Sequence, residues 1–397
     1  MDFTPDTDLA SFRQEVRQFL AEKLPDDLKN LPWEMRSPRT ELTRWQRILA
    51  DRGWGAPGWA LEDGGTGWTI QQCLAFEEEC ALAGTPSQDP FAQKLLGPVL
   101  NRFGTPEQKA EHISPILRGD RLWCQGFSEA GSGSDLASLR TKAERNGDVY
   151  VVNGHKLWTS FAHQADWIFL LVRTDPHVRK QAGISFLLVD MQSPGITVRP
   201  IISIDGRHHL NQVFFDDVGV PIANRIGDEG EGWAITKFLL NHEHASTADL
   251  PALRGYIRQL RELAPRLHAG GRPLTERSEF VLRLAKLEAE LEAIVFMVAR
   301  VAAMEQDHSP VAHAMGSMLK LRGTELQQRI TSFMTESLGD FGAISTCDGG
   351  DAAAAFPFLP DFAQGIAREM FFRRAATIYG GSSEVQRGII AKSMFNL

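Results

Sequence analysis

The stretch Asn241 to Thr247, NHEHAST, sets one carboxylate between two histidines. Those are the residue types of a metal site or of a general base. A helical zinc motif requires two histidines four residues apart, so that both project from one face, with a glutamate beside the first. Here Ser246 stands four places after His242, and His244 only two. On a helix that spacing separates the two imidazoles by about 200°. The pair does not suit chelation, no metal is expected, and Glu243 is left as a lone carboxylate available to take a proton.

Two further segments carry groups able to hold a ligand. In CQGFSEAGSGSDL (124–136) a strand end runs into a loop of small residues, whose bare amides can approach a phosphate or the polar edge of a ring system. In GHKLWTSFAHQADW (154–167) Trp158 stands next to two hydroxyls, Thr159 and Ser160. Taken singly, the glycines also read as a turn and Trp158 as a core aromatic; together they suggest a planar cofactor. GxGxxG fails, because Leu136 follows Gly131 and Gly133 at the required place, and no GxSxG elbow occurs. Nicotinamide dehydrogenases and serine hydrolases lose their main support. His208 and His209, in DGRHHL, read as a solvated loop.

The elements around these segments change character twice. Residues 7 to about 118 are helical, as in DLASFRQEVRQFL, where Leu9, Phe12, Val16, Phe19 and Leu20 share a face. GTPEQK marks a helix start, with Thr105 as cap, Pro106 in the first turn and Gln108 reaching back. Alternating β-branched and aromatic runs follow in DVYVVNGHKLW, WIFLLVRTD, ISFLLVDM and NQVFFDDVGV, with Asn146-Gly147-Asp148 as a hairpin signal. Helices return from Gly232, including the long FVLRLAKLEAELEAIVFMVARVAAMEQ, and residues 343–365 read as a long loop. The predicted divisions are 1–120, 121–231 and 232–397.

The chain has 397 residues, 43% hydrophobic content and a net charge of −8 without a basic run. That is enough to bury a large core, and it argues against nucleic acid or an anionic membrane as partner. Cys73, Cys80, Cys124 and Cys347 have no CxxC spacing and read as reduced core thiols. No apolar stretch approaches the roughly 20 residues of a membrane span. A cytoplasmic location is expected, since the N-terminal residues lack a signal or transit pattern.

The sequence resembles the acyl-CoA dehydrogenase flavoproteins over nearly its whole length. RGWGAPGWALEDGGTGW and FGTPEQKAEHISPILRGD are similar to the family's N-terminal domain, FSEAGSGSDLASLRTKAERNGDVYVVNGHKLWTS to its β-domain signature, and RRAATIYGGSSEVQRGIIAK to its C-terminal signature. The resemblance implies an α+β fold: an N-terminal helical domain, a central β-barrel-like domain and a C-terminal four-helix bundle. It also implies FAD, an acyl-CoA substrate, an electron-transfer flavoprotein as acceptor, and a homotetramer or dimer, with a hetero-oligomer as the alternative assembly.

Family roles transfer by position. The resemblance gives Gln125, Phe127, Ser128, Gly133 and Ser134 to the cofactor, with Ser134 near its phosphates or the acyl-CoA, and sets Trp158, Thr159 and Ser160 against the isoalloxazine. Ser382 and Glu384 belong to its ribityl or adenosine part, Thr335 and Gly339 to a neighbouring subunit's adenine, and Arg266 to a cross-subunit contact. Asn241, His244 and Tyr379 fall on the substrate side. In medium-chain and short-chain members the base directly follows the signature tyrosine, but here Tyr379 is followed by Gly380. In isovaleryl-type and long-chain-type members it lies on the helix after the β domain. Counting from EGW (231–233), Glu243 takes that position. The backbone N–H of Gly380 then becomes a donor to the thioester oxygen, and the missing side chain favours a branched, cyclic or otherwise bulky acyl group. His244 departs from the arginine usual after the helix glutamate. The expected reaction is α,β-dehydrogenation, with a proton to Glu243 and a hydride to flavin. The alternatives are an acyl-CoA oxidase on the same fold and a non-catalytic flavin-bearing subunit.

Overall fold

The computed structural model describes residues 7–397 apart from 30, 32–36, 241–246, 308, 310 and 345–359. The chain divides into two compact units, Met1–Ile201 with His209–His242, and Ile202–His208 with Glu243–Leu397.

The first unit opens with helices α1 (Thr7–Lys23), α2 (Arg39–Asp51), α3 (Ile70–Ala83), α4 (Gly97–Phe103) and α5 (Pro106–Arg118). The predicted stripe of α1 is real: Phe12, Val16, Phe19 and Leu20 pack with Trp45, Trp54 and Phe76. Capping boxes start α3 (Thr69 with Gln72) and α5 (Thr105 with Gln108), each satisfying two orphan N–H groups at once. A π-helical turn, Phe91–Leu96, leads into α4.

Eight strands follow: β1 (Trp123–Gly126), β2 (Lys142–Asn146), β3 (Val149–Ser160), β4 (Trp167–Arg173), β5 (Ile184–Asp190), β6 (Ile196–Ile201), β7 (Leu210–Pro221) and β8 (Arg225–Ile226). They form one sheet in the order β6-β7-β3-β2-β4-β5-β8, with β1 parallel to β4. The hairpin signal holds, since Asn146 pairs with Val149 across a two-residue turn. Strand β4 is buried on both faces: Ile168, Leu170 and Val172 enter one core, Phe169 and Leu171 another. A strand covered on both sides reads as a continuous apolar run, which is why WIFLLV does not alternate. Strand β6 was not among the four predicted runs. It carries Pro200 and lies at one end of the strand order, the position a proline tolerates. Helix α6 (Gly232–Leu240) packs Ile235 and Leu239 into the second of these cores.

In the second unit, α7 (Leu250–Leu263), α8 (Ser278–Gln306), α10 (Ile366–Arg373) and α11 (Ser383–Phe395) all pack on α9 (Ala312–Ser337). Leu319, Leu326, Ile330 and Phe333 of α9 are buried among them. Most of the long loop predicted at 343–365 lies outside the described residues. Cys73, Cys80 and Cys124 are free thiols, and Cys347 is outside the described residues. His209 corrects the reading of a solvated loop: it is buried and its carbonyl accepts from the Phe161 N–H at 2.7 Å. Among the described residues, no helix is long and apolar enough to cross a membrane, and no group of side chains is arranged to hold a metal.

Candidate active site

In the first unit the decisive feature is a break in the pairing of β3 with β7. Lys156 faces Val213 and Thr159 faces Asn211, so three steps on β3 match two on β7 and one residue is extra. The bulge sets Trp158 in the left-handed region (φ 62°), which costs a non-glycine residue about 1–3 kcal/mol. Its neighbours hold it there. The Leu157 N–H donates to Ser128 O at 2.9 Å, and Asn211 Nδ2 donates to Thr159 O at 3.1 Å. The result is an indole 56% exposed beside a threonine 1% exposed.

Thr159 Oγ1 is buried without a hydrogen-bond partner, as is Ser132 Oγ in the glycine loop. A buried hydroxyl left unpaired costs about 1–3 kcal/mol. An exposed aromatic face next to an unpaired hydroxyl suits a flat ring with a hydrogen-bonding edge.

The glycine loop is fastened to the same strand by an ion pair that sequence reasoning missed. Lys156 is fully buried, and its Nζ donates to Glu129 Oε1 at 2.8 Å and to Phe127 O at 3.0 Å. Glu129 also accepts from the Arg140 and Thr141 N–H groups, at 2.7 and 2.9 Å. Burial brings the Lys156 ammonium down to about 8 against the pull of Glu129. Burial works to raise the Glu129 carboxyl, yet Lys156 and its other donors leave it below the usual value. Period-two alternation was the available signal, since Lys156 is in phase with the buried Tyr150 and Val152.

The other predicted residues of this unit lie on β1, on β3 and on the loop that follows β1. Gln125 sits on β1, paired with Phe169. Phe127 turns its ring into the core against Phe169 and Phe186, so its main chain is what remains for a ligand. Gly133 and Ser134 are exposed on the loop, and a Cβ on Gly133 would meet nothing within 4 Å. Ser160 pairs with Leu210.

Asn241, Glu243 and His244 lie outside the described residues, but the chain that follows them in the second unit is firmly held. Thr247 Oγ1 donates to Gly316 O at 3.3 Å, and Ala248 is buried against Gly323 of α9. Asp249 Oδ2 accepts from Gln327 Nε2 at 3.3 Å and from Arg373 Nη1 at 3.4 Å. Arg373 Nε donates to Glu369 Oε1 at 2.7 Å and to the Tyr256 hydroxyl at 2.8 Å. Burial opposes the charge of Arg373, but Tyr256, Glu369 and Asp249 hold its pKa above the ordinary value.

Tyr379, Gly380 and Ser382 share the turn between α10 and α11. Gly380 and Gly381 are both left-handed (φ 63° and 90°), a conformation that favours glycine. Ser382 caps α11, its Oγ accepting from the Val385 N–H at 3.4 Å. Glu384 lies in the first turn, where its own backbone N–H and Ser382 hold its carboxyl below the usual value. Gln328 Nε2 donates to Arg373 O, Arg374 O and Thr377 Oγ1 at 3.0 to 3.2 Å, pinning the start of this turn to α9. Thr335 and Gly339 are elsewhere. Thr335 is two turns beyond Gln328, about 10 Å along the helix, and its hydroxyl donates to Thr331 O at 3.0 Å. Arg266 stacks its guanidinium 4.3 Å over the Phe362 ring.

A helical, a β and a helical region in this order, with a strained tryptophan on the sheet and a glycine turn before the last helix, define an acyl-CoA dehydrogenase-like fold. Family models of the acyl-CoA dehydrogenase N-terminal, middle and C-terminal domains match residues 6–120, 124–218 and 230–395. Across 402 aligned residues the chain is 36% identical to acyl-CoA dehydrogenase IpdE1 of Mycobacterium tuberculosis, with 98% of each chain covered. A solved ChsE4-ChsE5 complex from Mycobacterium tuberculosis is 31% identical with a TM-score of 0.82, covering 100% of this chain and 99% of that one. A structure described as the Tcur3481-Tcur3483 steroid ACAD is 28% identical with a TM-score of 0.85, at 100% and 99% coverage. The chain belongs to the acyl-CoA dehydrogenase family. It is an oxidoreductase of acyl-CoA catabolism, in a family that is generally FAD-dependent.

Proposed function

We propose that this enzyme introduces an α,β double bond into the CoA thioester of a bulky, ring-bearing acyl group and passes the electrons to an electron-transfer flavoprotein. The observation that carries the reading is Gly380. It follows Tyr379 without a side chain, and among the described residues its N–H takes part in no hydrogen bond. That free N–H is a donor for the thioester oxygen, where negative charge grows as the α-proton leaves. The proton acceptor is Glu243. Beside an apolar acyl group its carboxylate is desolvated, which raises its pKa and strengthens it as a base.

Bound FAD would supply the hydride acceptor. Trp158 would cover one face of its ring, and Thr159 and Ser160 would offer hydroxyls to the ring's edge. Gln125, Phe127 and Ser128 would contribute main chain and polar groups, and Gly133 and Ser134 would lie toward the phosphates or the CoA. The exposed indole beside a partnerless Thr159 hydroxyl supports that fit. Ser382 and Glu384 would reach the ribityl or adenosine part, Thr335 and Gly339 a neighbouring subunit's adenine, and Arg266 a second subunit. Asn241, His244 and Tyr379 would face the substrate.

The ring-bearing substrate is supported by the side-chain-free Gly380 and by the likeness to a steroid ACAD. Likeness to a ChsE4-ChsE5 complex supports assembly with a second chain as well as with copies of this one. The domains divide near residues 120 and 231, and the enzyme is cytoplasmic. Anaerobic titration with short linear, long linear, branched and ring-bearing acyl-CoA thioesters tests the reading. Ring-bearing thioesters should bleach the flavin most completely. Bleaching by slim linear thioesters alone would overturn the substrate class.

A further inference from the structure

The turn that carries Gly380 is held by a cation. Lys320, on α9, donates from Nζ to both Tyr379 O and Gly381 O, the carbonyls on either side of Gly380. Among the described residues no carboxylate pairs with it. Burial alone brings its ammonium down to about 8. Keeping a desolvated charge beside two carbonyls is expensive for a protein, which points to a use beyond holding a turn.

The geometry of the peptide unit supplies that use. Tyr379 C=O and Gly380 N–H belong to one planar, trans peptide and point in opposite directions. Drawing the carbonyl toward Nζ turns the N–H the other way. Gly381 O is drawn to the same ammonium, and Gln386 Nε2 reaches Gly380 O and Gly381 O at 3.4 and 3.5 Å, so the planes on both sides of Gly380 are fixed. The left-handed φ of 63° at Gly380 is the conformation this requires.

We propose that Lys320 is the positioning residue for thioester activation: it aims the Gly380 N–H and adds its positive charge behind the peptide that receives the developing oxyanion. This rests on the reading of Gly380 as the thioester donor. A donor held by a cation is polarised more strongly than one held by a neutral turn. The same ammonium lies 3.7 Å from where a Cβ on Gly380 would stand, so the space an acidic side chain would enter is already lined by a cation.

The test uses acetoacetyl-CoA, whose central carbon acid ionises to an enolate with its own absorbance, bound to the FAD-loaded enzyme. In the wild type the pH at which the bound probe ionises should fall below that of the free thioester. Lys320→Met should move it back up by about one unit, a tenfold loss, and slow substrate-driven flavin reduction about tenfold or more, against about 10²–10³ for losing an oxyanion donor outright. Lys320→Arg keeps the charge and the donors and should recover most of both. Equal ionisation in wild type and Lys320→Met overturns the proposal, as does an equal deficit in the Met and Arg variants with lowered melting temperatures, the mark of a merely structural lysine. A wild type that leaves the probe's ionisation at its free value overturns the Gly380 reading itself, a result distinguishable from either.

Discussion

Replacing Gly323 with alanine should slow catalysis without unfolding the protein. A Cβ built on Gly323 would stand 2.8 Å from Ala248 Cα, 2.9 Å from its carbonyl oxygen and 3.2 Å from its Cβ. Carbon atoms rest at about 3.5–4.0 Å, so Ala248 must retreat by roughly 1 Å. Overpacking costs about 1–3 kcal/mol, while exchanging a mid-helix glycine for alanine returns about 1 kcal/mol. The net loss is at most about 2 kcal/mol, and the fold survives it. The displacement matters because Ala248 follows the segment bearing Glu243. Thr247 and Asp249 are tied on either side of it, so its retreat shifts the anchor that the Glu243-bearing segment runs into. A misplacement of about 1 Å can cost about 10²-fold in rate. Stopped-flow flavin reduction should therefore fall about 10²-fold while FAD content stays at the wild-type level. Gly255 in α7 is the control, since a Cβ there meets nothing within 4 Å. Gly255→Ala should raise the melting temperature, for a gain of about 1 kcal/mol, and leave the rate alone. Wild-type reduction kinetics in Gly323→Ala would refute the claim that this contact positions the base.

The remaining predictions concern the base, the loop clamp and acid stability. Glu243→Gln keeps FAD content and ligand binding, but flavin reduction falls about 10²–10⁴-fold; unchanged kinetics would move the base elsewhere. Lys156→Met leaves the half-buried Glu129 carboxylate with only the Arg140 and Thr141 N–H donors, which costs up to about 3 kcal/mol. Equilibrium dialysis should show weakened FAD retention, and full retention with an unchanged melting temperature would show that the clamp does not serve the cofactor. His112 is buried beside Arg121, and desolvation first, then that charge, brings its pKa from 6.5 to about 4. The unfolded imidazole takes up its proton before the folded one, so stability is unaffected by His112 above 6.5 and is lost as the pH falls from 6.5 to about 4. The 2.5-unit gap amounts to about 3 kcal/mol at most. Urea unfolding of His112→Asn should show a shallower acid slope across that window, and parallel slopes would exclude the contribution.

What the sequence disclosed depended on whether the signal was local. The Thr105 and Gln108 capping box, the Asn146-Gly147 hairpin and the stripe of α1 are each encoded within a few residues, and each is found. The left-handed backbone of Trp158 is not local. It exists because β3 gains a residue against β7, some fifty positions away, and no property of Trp158 itself announces that. Glu129 is likewise unreadable as the partner of Lys156 until the sheet brings them together. Gly323 offered a partial signal, since a glycine inside a helical pattern normally has a packing reason. The sequence does not say that the reason is Ala248. His209 failed through a general expectation of exposed loop histidines, whereas its carbonyl anchors Phe161, another left-handed residue.

The absence of a carboxylate at position 380 and the presence of Lys320 support one another. A glutamate there would extend toward an ammonium that, among the described residues, no carboxylate pairs with. An opposite charge at that range favours the ionised form, lowers the pKa and weakens the carboxylate as a base. The turn is thus suited to donating a hydrogen bond and poorly suited to accepting a proton, so the acceptor has to arrive on another segment. Residues 241–246 are followed by a chain end held by Gly316, Gly323, Gln327 and Arg373, three of them on α9, the helix that also carries Lys320. One helix therefore fixes both the donor turn and the anchor of the segment bearing Glu243. In the proposed arrangement the spacing between the donor turn and the anchor at Thr247–Asp249 is set along α9, from Gly316 to Gln327.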